Sequence, residues 1–200
     1  MSRQAATVLS KFISRDRGTV CLLHVVFFSG TLFGGYLISM YQEEGDRQMV
    51  DASKIGQSFP PFTIEVERGK VRELALAIGD ENPIYQSRQA AQAAGYTEVP
   101  LYPTSPTIFA FWGVGYPQLL EHWASLGIDV ERVLHGEEAF EYLSPITPGD
   151  TLTGVMTLVE VKTTKGQAGI FLDVLTFEFR YTNQHGEPAL RLRKVILVPT

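Results

Sequence analysis

The sequence predicts an α+β fold for residues 49–200, in which a mostly antiparallel sheet packs against one central apolar helix. After Gly127, four runs of strand-forming residues are separated by turns that contain Gly or Pro. Before them, residues 106–114 have almost no polar side chain, which is typical of a buried helix. The run FLDVLTFEFRY alternates between a largely apolar and a mixed face, which predicts a sheet with one side on a core.

One short strand and two helices are predicted ahead of the central helix. FTIEVE, which begins at Phe62, alternates and predicts the strand. Four apolar residues spaced i, i+3, i+4 and i+7 predict the first helix: Val71, Leu74, Ala75 and Ile78. Gly79 is a natural end for this helix, and Pro83 prevents easy continuation. SRQAAQAAGY predicts the second helix, with Ser87 as its N-cap and Gly95 as its stop.

The central helix is expected to begin at Pro106, because proline is favoured in the first helical turn, with Ser105 as the cap. Gly113, Gly115 and Pro117 are expected to bend or break the chain before the segment QLLEHWASLG. The four strands that follow are expected at about 133–143, 151–163, 168–182 and 187–198.

The first 48 residues differ in character from the rest. Residues 18–42 contain no Asp, Glu, Lys or Arg, and they are long enough to span a bilayer as a helix. Mainly basic residues precede this run and mainly acidic residues follow it, so a membrane anchor would leave the N-terminus in the cytoplasm. The alternative is that residues 1–48 lie upstream of the true start, with Met49 as the natural first residue.

The composition argues against several classes of function. A formal net charge of −5 disfavours bulk nucleic-acid binding, which needs a basic surface. The single cysteine, Cys21, excludes an internal disulfide and a thiolate-cluster metal site. The four histidines show no ligand spacing such as HExxH, so we expect no metal.

Three segments carry a resemblance to a known family: VERGKVRELALAIGDENPIYQSRQAAQAAGY, PTSPTIF and RVLHGEEAFEYLSPITPGDTL. Together they resemble the MaoC-like dehydratase family, in its N-terminal dehydratase subgroup, over about residues 51–198. The resemblance implies a hot-dog fold, which is a sheet wrapped around one central helix. It also implies chemistry on acyl thioesters of coenzyme A or acyl-carrier protein, without a further cofactor. The expected reaction is hydration of trans-2-enoyl groups or dehydration of (3R)-hydroxyacyl groups.

The resemblance also bears on the start of the chain. It begins just after Met49, and an exported domain would have no acyl-thioester substrate. Both points favour the later start and a cytoplasmic protein over a membrane-anchored one.

Catalytic members of the family carry, in effect, the motif G-D-x-N-P-x-H, whose Asp and His hold one water and transfer protons. In IGDENPIY, Asp80 and Asn82 match the motif, and Tyr85 stands where the histidine is expected. Imidazole titrates near neutral pH, whereas a phenol with a pKa of about 10 is a poor base at pH 7. The resemblance therefore implies a subunit that binds the acyl chain while a second hot-dog chain supplies the Asp–His pair.

Each candidate catalytic residue also has a structural interpretation. Asp80 could orient water or cap the end of the preceding helix, and Asn82 is a common turn former. Tyr85 could donate a hydrogen bond or simply pack against its neighbours. His135, in LHGEE, could replace the missing base or make a surface hydrogen bond. The two glutamates that follow it alternate, so at most one of them points inward.

Five residues of the central helix are candidates for substrate binding: Pro106, Thr107, Ile108, Phe111 and Trp112. Amide N–H groups at Thr107 and Ile108 could polarise a thioester carbonyl, or they could be ordinary helix-start groups. The apolar side chains could line an acyl tunnel or form the core of the fold.

Three functions are open on the sequence alone. The chain could be the acyl-binding subunit of a heteromeric hydratase, or a self-sufficient homodimeric enoyl-CoA hydratase that uses Asp80 with His135 or Tyr85. It could also be a non-catalytic acyl-CoA-binding module. A single hot-dog domain leaves a sheet edge and a helix face uncovered, so a dimer is expected in all three cases.

Overall fold

The structure is a computed structural model that describes residues 9–15, 18–24, 50–165 and 171–199, and only the backbone in the first two ranges. Of the predicted membrane segment, residues 18–24 form a strand and residues 25–42 lie outside the described residues, as does Met49. Within the described ranges, no helix is long and apolar enough to cross a bilayer.

The described strands are β1 (Leu9–Arg15), β2 (Gly18–His24), β3 (Phe62–Glu65), β4 (Leu134–Tyr142), β5 (Thr151–Lys165), β6 (Phe171–Thr182) and β7 (Pro188–Pro199). The described α-helices are α1 (Arg68–Ala77), α2 (Arg88–Ala93), α3 (Phe109–Gly113) and α4 (Tyr116–Ser125). Short 3-10 turns occur at Ala52–Lys54, Pro83–Tyr85, Ser105–Ile108 and Val130–Arg132.

The strands form one sheet in the order β1-β2-β4-β7-β6-β5-β3, and every neighbouring pair is antiparallel. Strands β3 to β7 are the sheet that the sequence predicts, with bounds close to those expected. Strand β2 pairs along the other edge of β4. The α+β architecture is therefore confirmed.

Alternation along β6 and β7 decides which face of the sheet meets the helices. On β6 the buried, helix-facing residues include Leu175, Phe177, Phe179 and Tyr181. On β7 they are Leu190, Leu192, Lys194, Ile196 and Val198. Together with Phe109 of α3 and Trp123 of α4, the apolar members of this face form the main core. The predicted division of the sheet into a core face and a mixed face is thus confirmed.

The central helix is shorter and more interrupted than predicted. It begins with the 3-10 turn Ser105–Ile108 and continues as the five residues of α3. Gly115, with a φ angle of 86°, then redirects the chain into α4, which confirms the expected break. Ser105 is not the cap, because Thr104 precedes the first turn and Ser105 lies inside it.

The expectation that this helix is buried on all sides is only partly right. Phe109 and Ala110 are buried against the sheet, whereas Phe111, Trp112 and Val114 are half-buried. Their apolar composition indicates burial, but the described residues fully cover only one side of α3.

Two glycines make room for one aromatic ring. A Cβ at Gly113 would lie 2.3 Å from Cδ2 of Phe62, and a Cβ at Gly154 would lie 2.6 Å from Cζ of the same ring. Phe62 therefore fills the space between α3 and β5, where it also meets Tyr181 edge-on at 5.9 Å. Only glycine allows backbone to approach a ring this closely. The contact sets the spacing between the central helix and the sheet.

Helix α1 and the segment after it lie over a second, smaller core of Val71, Ala91 and Val99. Ile78, predicted to lie on the apolar face of α1, is 52% exposed because the helix ends at this point. Gly79 adopts a φ angle of 76°, as expected for a glycine that terminates a helix.

Candidate functional site

The segment IGDENPIY forms a compact turn that uses its own polar side chains. Asp80 Oδ1 accepts a hydrogen bond from the backbone N–H of Asn82 at 2.9 Å. Asn82 Oδ1 accepts in turn from the N–H of Ile84 at 3.2 Å and caps the 3-10 turn Pro83–Tyr85. Both side chains thus hold the local backbone, as short polar residues commonly do in turns.

Tyr85 is packed against other aromatic and apolar groups. Its ring lies 4.9 Å from the ring of Tyr102, measured between centroids, and contacts the smaller core. Burial, with smaller contributions from Tyr102 and Asp80, raises the pKa of Tyr85 to about 12. The phenol is therefore protonated near neutral pH and can donate a hydrogen bond, but it cannot serve as a base.

Thr107 marks the start of the central helix and is held at three atoms. Its N–H donates to the carbonyl of Thr104 at 3.1 Å, so this amide has a local partner. Its hydroxyl donates to Glu138 Oε2 at 2.5 Å, and its carbonyl accepts from Lys194 Nζ at 3.4 Å. Ser105, in the same turn, is fully buried, and its hydroxyl has no hydrogen-bond partner among the described residues.

Glu138 and Lys194 form a buried ion pair under the helix start. They are direct partners in the β4–β7 ladder, and Glu138 Oε1 lies 2.9 Å from Lys194 Nζ. The Glu138 side chain has no exposed surface and that of Lys194 is 5% exposed. The ammonium also lies over the rings of Phe111 and Phe179, at 5.6 and 5.9 Å from their centroids. The contact with Oε1 is an ion pair rather than a directed hydrogen bond.

A β-bulge brings His135 to the same side of the sheet. The β4–β7 register shifts at Gly136, so that His135 lies opposite Ile196 while Glu138 lies opposite Lys194. Without the shift, residues three apart on a strand would face opposite sides. His135 Nε2 lies 4.0 Å from Glu138 Oε2, and the His135 side chain is 34% exposed.

The charge state of His135 follows from this environment. Burial lowers the pKa of His135 below its ordinary value. Glu138 acts to raise the pKa and Lys194 acts to lower it. The imidazole is therefore neutral at neutral pH, which is the form that can accept a proton.

A groove of about 580 Å³ lies between residues 96–101 and residues 142–147. Its walls are mostly apolar and include Tyr96, Pro100, Leu101, Tyr142, Leu143, Pro145 and Ile146. The Tyr142 hydroxyl donates to the carbonyl of Pro103 at 2.9 Å, which ties one wall to the approach to the central helix. The volume is typical of small-molecule pockets, about 300–1,000 Å³. No local sequence pattern indicates this groove, because its walls come from distant parts of the chain.

Glu98 anchors an ion-pair cluster at the groove. Its carboxylate accepts from Arg68 Nε at 2.8 Å and Nη2 at 2.6 Å, and Arg88 Nη2 lies 3.1 Å away. Hydrogen bonding from Arg68 is the main reason that the pKa of Glu98 is lowered to about 2. The cluster joins α1 and α2 to one wall of the groove.

The structure separates the predicted site residues into two groups. Thr107, Phe111 and His135 gather around the Glu138–Lys194 pair, and Asp80, Asn82 and Tyr85 hold the turn beside the smaller core. The remaining candidates on the central helix are buried Pro106, half-buried Ile108, and Trp112, which packs 5.6 Å from the ring of Phe109.

Glu138 and Lys194 are not among the site residues predicted from the sequence. The available signal is the alternation of β7, where Lys194 occupies a position in the apolar series Leu190, Leu192, Ile196 and Val198. A charged residue on the apolar face of a strand predicts a buried partner. Within residues 50–165 and 171–199, no three His, Cys, Asp or Glu side chains lie close enough together to hold a metal ion.

Comparison with known sequences gives matches over most of the described domain. The family model "FAS1-like, dehydratase domain region" matches residues 53–192. A protein of the UPF0336 group from Streptomyces coelicolor is 37% identical over 139 residues, which is 69% of this chain and 87% of the relative.

Two solved structures have similar folds. The C-terminally truncated HadBC (3R-hydroxyacyl-ACP dehydratase) complex from Mycobacterium tuberculosis superposes with a TM-score of 0.57 at 22% identity, over 72% of this chain and 96% of that chain. A protein described as a MaoC-like dehydratase superposes with a TM-score of 0.57 at 25% identity, over 74% of this chain and 43% of that chain. The expected hot-dog architecture is confirmed by these superpositions.

Proposed function

The chain belongs to the FAS1-like dehydratase region family, of the MaoC-like hot-dog type, and from this premise we propose that it is a subunit of an acyl-thioester hydratase/dehydratase. The proposed reaction interconverts trans-2-enoyl and (3R)-hydroxyacyl thioesters of coenzyme A or acyl-carrier protein. In the hydration direction, the oxygen of water bonds to the β-carbon and a proton is delivered to the α-carbon. Water is the only co-reactant, so the proposal needs no further cofactor.

The residue at position 85 is the main support for assigning proton transfer to a second chain. Tyr85 stands at the position of the expected histidine, and with a pKa of about 12 it cannot take a proton from water near pH 7. We infer that the proton-transfer pair belongs to a second hot-dog chain and that this chain is the acyl-binding half of a heteromeric enzyme in the cytoplasm. The description of the Mycobacterium tuberculosis neighbour as a HadBC complex supports such an assembly.

Apolar surface near the helix start supports the acyl-binding role. Ile108, Phe111 and Trp112 are only half-buried although they are large and apolar. The groove beside Tyr142 adds ligand-sized apolar space on the approach to the same helix. Acyl binding would cover surface that the single chain leaves in contact with water.

Hydration of crotonyl-CoA, followed by the loss of enoyl-thioester absorbance, tests this proposal. The isolated chain should show almost no turnover, and co-expression with a second hot-dog chain that carries G-D-x-N-P-x-H should restore it. Replacing the His of that partner motif with Ala should abolish the restored activity. Full hydratase rates from the isolated chain would contradict the division of labour. Neither binding nor turnover of crotonyl-CoA in any combination would overturn the proposed function.

His135 favours a second candidate, a self-sufficient homodimeric hydratase. Its imidazole is partly exposed and neutral beside Glu138, so it could take the place of the missing base. In that case His135→Ala would lower the turnover of the isolated chain by about 10²-fold or more, whereas His185→Ala, in an exposed turn, would not. Binding of crotonyl-CoA without turnover in any partner complex would instead identify a non-catalytic acyl-CoA-binding module.

A further inference from the structure

The proposed reaction leaves the buried Glu138–Lys194 pair unexplained. Removing two charges from water is costly, and replacing a buried ion pair with apolar residues is often neutral or stabilising. The neighbouring helix-facing positions on β7 are Leu192 and Ile196, so this face readily accepts apolar side chains. Stability alone therefore gives little reason for a lysine at this position.

Both members of the pair contact the same helical residue. Glu138 Oε2 accepts from the Thr107 hydroxyl, and Lys194 Nζ donates to the Thr107 carbonyl. Two strands of the sheet thus hold the first turn of the central helix by a side-chain atom and a main-chain atom. The rings of Phe111 and Phe179 flank the ammonium and limit its other positions.

The hydrogen-bond roles in this cluster follow from its charges. An ionised carboxylate has no proton to donate, so the single hydroxyl proton of Thr107 must point to Glu138. The hydroxyl oxygen of Thr107 can then still accept a hydrogen bond through its lone pairs. A group that binds there must therefore be a hydrogen-bond donor. Thr107 itself is half-buried, so part of its surface is open to solvent.

His135 belongs to the same arrangement because of the bulge at Gly136. The register shift turns the His135 side chain toward the helix side, where Nε2 comes within 4.0 Å of Glu138 Oε2. The charged and titratable groups facing it are Glu138 from its own strand and Lys194 from β7. One carboxylate oxygen therefore lies beside both the threonine hydroxyl and the imidazole.

We propose that Glu138 and Lys194 are positioning residues that hold the Thr107 hydroxyl as a hydrogen-bond acceptor for an amide N–H of the substrate's pantetheine arm, with the His135 imidazole beside it. The inference rests on the proposed function, because the pantetheine arm is common to thioesters of coenzyme A and acyl-carrier protein. The arrangement of Glu138, Lys194, Thr107 and His135 can be tested without substrate.

An NMR titration of the His135 ring tests the geometry in the full chain. Glu138→Gln should lower the pKa of His135, because it removes the carboxylate that stabilises the imidazolium and leaves Lys194 in place. Glu141→Gln, on the same strand and paired with Arg191, is the matched control and should leave that pKa unchanged. An unchanged pKa of His135 in folded Glu138→Gln would overturn the placement of the imidazole beside Glu138 and leave the proposed function intact.

Calorimetric binding of crotonyl-CoA, to the chain or its partner complex, tests the acceptor role. Thr107→Val should weaken binding about tenfold, as expected for one lost hydrogen bond, and Thr107→Ser should restore it. The double variant Glu138→Leu/Lys194→Met removes both charges together, so that neither is left buried alone, and it should show a similar loss. Wild-type affinity in Thr107→Val or in the folded double variant would overturn the inference. No binding by the unmodified protein would refute the proposed function, while the NMR titration still decides the geometry.

Discussion

The polar side chains Asp80 and Asn82 of the IGDENPIY segment make hydrogen bonds to the backbone of nearby residues. Asp80 and Asn82 each accept from a backbone N–H two residues further on, a bond that depends only on local geometry. Tyr85 differs, because its burial depends on Tyr102, which is distant in the sequence. The segment is therefore a locally bonded turn that ends in a packed phenol.

The Asp80 side chain should contribute to stability through this turn. Asp80→Ala removes the acceptor for the Asn82 N–H and should lower the free energy of unfolding by about 1 kcal/mol. Asp80→Asn keeps an acceptor oxygen and should cost much less. Urea unfolding of the two variants measures the difference. Equal losses in both would show that the charge of Asp80 matters rather than its hydrogen bond.

His135 should make stability depend on pH. The pKa of His135 is lowered in the folded protein, mainly by burial. As pH falls, the imidazole therefore becomes protonated at a higher pH in the unfolded chain than in the folded protein. The contribution is therefore present above the unfolded pKa of about 6.5 and is lost as pH falls through the folded value. His135→Gln should flatten the fall in unfolding free energy between about pH 7 and pH 5. His185→Gln serves as the control, and an unchanged slope in His135→Gln would contradict the assignment.

The β-bulge at Gly136 changes which side chains of β4 face the helices. The bulge at Gly136 places His135 and Glu138 on the helix side, where Lys194 of β7 meets them. The pair therefore links two strands, through Thr107, to the 3-10 turn that precedes α3. At the scale of the element, the candidate site depends on a shift of one residue in register.

Replacing only one member of the Glu138–Lys194 pair should strongly lower the free energy of unfolding. Lys194→Met leaves the buried Glu138 carboxylate without its cationic partner, with only the Thr107 hydroxyl donating to it, and should destabilise the protein by about 3–5 kcal/mol. Glu138→Leu/Lys194→Met should be close to neutral, because no charge remains buried. Arg193→Met, the next residue on β7 but on the exposed face, is the control for Lys194→Met. If the losses of stability measured by chemical denaturation for Glu138→Leu alone and Lys194→Met alone add up to the loss in the double variant, the pair is not coupled.

Element types were largely predictable from the sequence, whereas contacts between elements were not. Alternation and turn residues predicted β4 to β7, and the spacing of Val71 and Ala75 predicted α1, because these signals are local. The ion pair, the bulge at Gly136 and the apolar groove each join segments that are distant in the chain. The motif position of Tyr85 was identified from the sequence, but its raised pKa arises from tertiary packing.

The whole domain leaves large apolar side chains in contact with water. Tyr116 is 61% exposed and stacks on Phe111 of α3. Leu76 and Ile78, at the end of α1 where the IGDENPIY segment begins, are 58% and 52% exposed. Isolated apolar residues are common on protein surfaces, but groups beside a candidate site indicate an interface. We therefore expect these side chains to lie in an interface between chains.

Sedimentation should therefore show association. We expect the purified chain to form a dimer, with itself or with a second hot-dog chain, because association covers this apolar surface. Tyr116→Lys or Leu76→Lys should shift the equilibrium toward monomer if that residue lies in the interface, and Arg191→Ala, on the exposed face of the sheet, should not. A stable monomer alone and in the presence of a catalytic hot-dog chain would contradict the expectation.

The packing of Phe62 between Gly113 and Gly154 has a consequence for how the family can vary. The ring leaves no room for a Cβ at either glycine. Ile64 Cγ2 would also lie 2.6 Å from a Cβ at Gly113, and Tyr181 Cε1 would lie 2.6 Å from one at Gly154, so a smaller residue at position 62 relieves part of the clash. Gly113→Ala should lower the melting temperature, and adding Phe62→Leu should recover part of the loss. Across homologous sequences, the side-chain sizes at these three positions should covary, because the distance between helix and sheet is fixed.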